Sequence, residues 1–244
     1  MNALAQRFAR LSAVQEVFLL WAVGFIGIIV AFAAFGGSGG HAKVVATVGF
    51  LYLPLLAMRR RGEDYRDYGI TLRAWREDLK LFGILFAVVF PVYVAGFWLF
   101  ANHARELVPE WALPYVTPYL ERADFEFRLP ARFGEWVIDN VLVVALPEEF
   151  FYRGFVQGRL RDAWPQGKRF LGARLGPAFW VTQLLFAVGH LAIFEAWRLA
   201  VVFPALLFGW MRERTGTVMG AALFHAACNL LALVLEASFF GRHG

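Results

Sequence analysis

The chain has one cysteine in 244 residues, Cys228, and it lies among alanines in an apolar run. That excludes a disulfide framework and any cysteine-based metal motif. Charge is also scarce. Only 18% of residues are Asp, Glu, Lys or Arg, against about 25% in a soluble domain. The hydrophobic share is 59% and the mean hydropathy is +0.54, an excess of apolar surface that water does not tolerate and lipid does. A net charge of +5 and a pI near 9.7 raise the question of nucleic acid. The basic residues, however, occupy short loops between apolar runs, with no aromatic-interleaved basic patch, so no nucleic-acid partner is expected.

What is present is a succession of apolar runs. They cover about residues 17–36, 42–58, 79–101, 134–156, 176–194, 199–211 and 216–240. This predicts an all-α fold: a polytopic transmembrane helix bundle of about seven spans, one membrane domain over 1–244. Residues 17–101 supply three N-terminal spans and 134–240 the polar, chemistry-bearing ones. The first run, at about 20 residues, exceeds the 7 to 15 of a cleavable signal, so it reads as a retained anchor. Gly-Gly-Ser-Gly-Gly at 36–40 marks a turn. Short interfacial helices are expected at Asp64–Lys80 and around Trp111, Tyr115 and Tyr119, although Pro109, Pro114 and Pro118 break the latter. With the N-terminus inside, sixteen Lys and Arg, from Arg7 and Arg10 through Arg212 and Arg214, fall on the cytoplasmic side and seven outside. The expected orientation is therefore N-in.

Several spans contain what lipid penalises. The fourth carries Pro147, Glu148, Glu149 and Arg153, the fifth His190, and the seventh His225 and Asn229. A charge facing lipid costs about 2.5 kcal/mol or more, so such residues face protein or a wet cavity. Glu149 and Arg153, four apart, share a helix face and can pair; Glu148 points about 100° away and is left out. Two adjacent carboxylates in different environments can divide structural from catalytic work. Phe186 and His190 are also four apart, as are His225 and Asn229. A carboxylate and an imidazole can hold and deprotonate a water, while an imidazole and an amide can donate to an oxyanion. The same side chains, Glu148, His190 and His225, could instead hold zinc, though no His-Glu-x-x-His helix exists and an amide is a poor zinc ligand. No metal or other cofactor is the expectation, with zinc the alternative. Asp139 and Asn140, about two turns earlier, read as packing or a wetted vestibule.

In order and spacing, P-E-E-F-F-Y-R-G at 147–154, F-A-V-G-H at 186–190 and H-A-A-C-N at 225–229 resemble the motifs of the CPBP intramembrane proteases. That group includes the type II CAAX prenyl endopeptidases and the bacteriocin-processing and immunity proteins. The resemblance covers about residues 136–240. It implies an intramembrane endopeptidase in which Glu148, assisted by His190, activates water. His225 and Asn229 would form the oxyanion hole, and Glu149, Arg153 and Phe186 would support the site. The implied partner is a protein substrate cut near its C-terminal tail or membrane anchor. A transporter would use the same charges as an ion path but predicts inverted repeats, which the sequence lacks. A non-proteolytic scaffold or immunity protein would keep them only for packing.

Overall fold

The computed structural model describes residues 11–37, 39–115, 125–194 and 196–241. Arg7, Arg10, Arg122, Arg242, Pro118 and Tyr119, used above, lie outside the described residues. Helix α1 (Ala13–Ala34) starts at Ser12, whose hydroxyl accepts from the Gln15 N–H while the Gln15 side chain accepts from the Ser12 N–H. It runs antiparallel to α2 (Gly39–Arg61). Gly36 and Gly37, both at positive φ, make the turn, and the remaining glycines of that stretch already belong to α2, a tighter connection than the composition suggested. Helix α3 (Trp75–Leu107) is followed by a 3₁₀ turn at Glu110–Tyr115.

Residues 133–163 form one helical run, α4, in which α-turns alternate with two π-helical segments, Asp139–Ala145 and Phe150–Val156. After it come a two-stranded hairpin, β1 (Lys168–Phe170) with β2 (Ala173–Leu175), and α5 (Pro177–Gly189), continued by a 3₁₀ turn at His190–Ile193. A further 3₁₀ turn (Ala196–Val201) leads into α6 (Val202–Thr215), and α7 (Met219–Phe240) closes the bundle. Helix α4 is the axis. One side packs on α1 and α2 and the other on α5, α6 and α7, with α3 outside α6 and α7.

Among the described residues four helices, α1, α2, α3 and α7, are long and apolar enough to cross a membrane. Helices α5 and α6, of 13 and 14 residues, rise about 20 Å, less than the ~30 Å hydrocarbon core. Seven helices are therefore present among the described residues, but not seven full-length apolar spans: the sequence windows for the fifth and sixth measured apolarity, which burial inside the bundle also demands. Helix α5 starts where its apolar run does, with Gly176 the cap and Pro177 the first helical residue, and is shortened at its end, where a 3₁₀ turn takes over at His190. The interfacial helix expected at 64–80 is not there. Gly62 and Gly69 sit at positive φ, the side chains of Asp64 and Thr71 accept the backbone N–H groups of Arg66 and Arg73, and helix begins only at Trp75.

That loop is fastened to α4. Tyr68 is buried, donating to Glu63 at 2.5 Å and accepting from Arg61; burial and the Glu63 bond push its hydroxyl pKa above the ordinary tyrosine range. A Cβ at Gly154 would stand 2.8 Å from the Tyr68 carbonyl oxygen. Backbone cannot step aside as a flexible side chain can. Gly154→Ala is therefore expected to cost about 1–3 kcal/mol, read as a lowered thermal midpoint in detergent; an unchanged midpoint would contradict this close approach.

Candidate active site

The polar centre is built on α4. Pro147 has no N–H to offer the carbonyl of Val143 four residues earlier; that carbonyl accepts instead from Thr47 of α2 at 2.8 Å. The proline thus leaves no bare carbonyl at Val143. Asp139, nearer the other end, pairs with Lys43 at 2.9 Å, and Asn140 donates to the Trp136 carbonyl of its own helix, so both have structural partners.

Glu149, Arg153 and Gln157 follow at intervals of four along α4, and all three are fully buried. Arg153 Nη1 donates to Glu149 Oε1 at 2.8 Å, and its Nη2 donates to Gln183 Oε1 at 2.9 Å and to the Ala205 carbonyl at 3.2 Å. Its guanidinium lies over the rings of Phe186, 4.1 Å from the centroid, and Phe208, at 5.2 Å. Gln183 donates to Gln157 Oε1 at 3.2 Å, and Gln157 donates to the Gly209 carbonyl and to Glu213 at 2.9 Å. One arginine thereby ties α4 to α5 and α6. The pairing offsets the high cost of an isolated buried charge, although Glu149 Oε2 and Arg153 Nε are left without a partner.

His225 of α7 meets this network from the other side. Its Nδ1 lies 2.9 Å from Glu149 Oε1, so Nδ1–H donates to the carboxylate that also holds Arg153, and Nε2 is left facing Glu148 Oε2 at 4.0 Å. The imidazole is stacked on Phe208, centroids 4.7 Å apart and planes 15° apart, with Phe186 edge-on at 6.0 Å. Glu148 is the less buried of the two acids, and its buried Oε2 has no hydrogen-bond partner. His190, half-buried at the end of α5, donates Nδ1–H to the Phe186 carbonyl at 2.8 Å, which leaves its Nε2 lone pair free. Its ring lies 4.6 Å from that of Phe186. Asn229 is half-buried one turn beyond His225 on α7.

Glu148, Glu149, Arg153, Phe186, His190 and His225 therefore border one region where α4, α5 and α7 meet, with α6 beneath, and Asn229 lies one turn further along α7. Two details differ from the sequence reading. Helical spacing grouped His225 with Asn229 but gave no sign that Glu149 holds His225 as well as Arg153, because that contact joins residues 76 apart. The buried supports Gln157, Gln183 and Phe208 were not anticipated. Gln157 could have been found as the next residue along the Glu149–Arg153 face, and Gln183 as an amide in an apolar helix seven residues before His190; Phe208 carries no such mark. The candidate zinc set fits poorly: among the described residues no three His, Cys, Asp or Glu side chains converge as metal ligands.

Residues 132–231 match the family model described as type II CAAX prenyl endopeptidase Rce1-like. The matched segment begins at the start of α4 and ends two residues beyond Asn229, so it contains every residue of the site. No curated protein and no solved structure matches the chain.

Proposed function

From the match of residues 132–231 to the type II CAAX prenyl endopeptidase family model, we propose that the chain is a membrane-embedded endopeptidase hydrolysing its substrate with a water activated by Glu148 and His190. The observation that carries this reading is the contrast between the two neighbouring acids. Glu149 is committed through Oε1 to Arg153 and His225, while Glu148 stands 4.0 Å from His225 Nε2, beyond hydrogen-bond reach, and is the less buried of the two. Glu149 also has an oxygen without a partner, Oε2, but its side chain is fully buried beside Arg153 and His225. The Glu148 side chain is 17% exposed and can meet a water, as a general base must. The free Nε2 of His190 is the second acceptor for the water, its tautomer fixed by the Phe186 carbonyl.

Attack on the scissile carbonyl then puts negative charge on its oxygen. His225 donates to that oxygen through Nε2–H, and this requires the doubly protonated ring, because Nδ1–H is spent on Glu149. Asn229 supplies the second donor to the oxyanion. The proton taken by Glu148 passes to the leaving amine, and no covalent intermediate is formed.

In this reading the protein sits in a bacterial inner membrane and cuts a membrane-anchored or C-terminal-tail protein substrate. The chemistry proposed is metal-free. The test is peptide-terminus mass spectrometry on membranes containing the wild type or His190→Ala. A neo-terminus should appear with the former and fall by about 10²- to 10⁴-fold with the latter. Phenanthroline should leave the wild-type rate unchanged; inhibition reversed by added zinc would replace this mechanism with a metal-assisted one.

A further inference from the structure

The hairpin β1–β2 is the feature that neither the site nor the bundle explains. Its register pairs Phe170 with Ala173, leaving Leu171 and Gly172 as a two-residue turn with φ of 46° and 84°. Both are left-handed, as in a type I′ turn, a geometry that favours Asn-Gly or Gly-Gly. Leucine is a poor choice there on conformational grounds. It gains nothing inside the molecule either, since Leu171 is 66% exposed and Phe170 beside it 57% exposed. A residue that is both strained and exposed points to a contact outside the fold.

The surroundings say what that contact is. Lys168, Arg169 and Arg174 are exposed on the two strands, and in residues 157–175 the one acid, Asp162, pairs with Arg159. The hairpin lies along the last turns of α6: Trp210 donates to the Phe170 carbonyl at 3.3 Å and Arg214 to the Leu171 carbonyl at 2.6 Å. Trp210 is five residues in from the end of α6, so the tip lies alongside that helix instead of extending away from it. In the first turn of α5, Trp180 is exposed, the placement of an aromatic at a membrane–water boundary. An apolar tip with basic flanks, beside interfacial tryptophans, matches an acidic lipid surface.

We propose that the 168–175 hairpin is a lipid-surface anchor: Phe170 and Leu171 enter the interface of the inner leaflet, and Lys168, Arg169 and Arg174 bind anionic headgroups. The anchor is independent of catalysis. Its test is a nitroxide at Leu171→Cys in a Cys228→Ala background, reconstituted in phosphatidylcholine vesicles with or without phosphatidylglycerol, with a label at Arg66→Cys as the exposed-loop reference. At 171 the label should collide with oxygen several-fold more readily, relative to a water-soluble nickel chelate, than at 66. The difference should shrink without phosphatidylglycerol and on adding Lys168→Glu with Arg169→Glu. Equal nickel accessibility at 171 and 66 would overturn the anchor. Insertion indifferent both to lipid charge and to the charge reversal would overturn the headgroup assignment.

Discussion

Glu148→Gln is expected to lower the rate of peptide cleavage by about 10²- to 10⁴-fold while the protein inserts, purifies and melts like the wild type. The two halves of this expectation come from the same geometry. Gln keeps the volume and shape of the side chain but removes the lone-pair basicity. Oε2 of Glu148 makes no hydrogen bond that the substitution could break, and no arginine relies on its charge for pairing. A scaffold that retains these residues for packing would give the opposite pattern, with stability moving and no cleavage to lose. Quantifying the neo-terminus alongside the thermal midpoint in detergent separates the two. Wild-type turnover by Glu148→Gln would remove Glu148 from the mechanism; proton or solute flux in vesicles that survives the substitution would favour a transporter.

How far the residues announced this arrangement depends on the range of the interaction. Contacts within one helix were legible. The spacing of four that pairs Glu149 with Arg153 and sets Glu148 apart follows from helix geometry alone, and the pair stands at 2.8 Å. Contacts between helices were not. That Glu149 also receives His225, that Phe208 stacks on that imidazole, and that Gln183 and Gln157 complete the shell of Arg153 depend on how α4, α5, α6 and α7 pack. Depth in the bilayer was illegible for a different reason. A run of apolar residues signals removal from water, and α5 and α6 achieve part of that inside the bundle, at lengths too short for a span. The π-helical turns on either side of Leu146–Glu149 leave no mark in hydropathy, since they change which carbonyl each N–H reaches and not which residues are apolar.

Removing Glu149 should harm the fold far more than removing Glu148, although the two are neighbours with the same side chain. Glu149→Ala leaves the guanidinium of Arg153 with the Gln183 and Ala205 oxygens but no counter-charge, in a place with no access to water, and strips His225 Nδ1 of its acceptor. Breaking a buried ion pair from one side costs about 3–5 kcal/mol, so the midpoint in detergent should fall steeply, with expression falling as well. Glu148→Ala strands no charge and should shift it little. The decisive companion is Glu149→Leu with Arg153→Met. Taking out both charges together replaces the pair by apolar volume, which is often neutral or stabilising, so the double variant should melt nearer the wild type than Glu149→Ala does. It should still be inactive, because nothing then orients His225 or holds its Nδ1 proton. Equal midpoints for Glu148→Ala and Glu149→Ala would show that the two acids are interchangeable, and the division of labour between them would fail with that result.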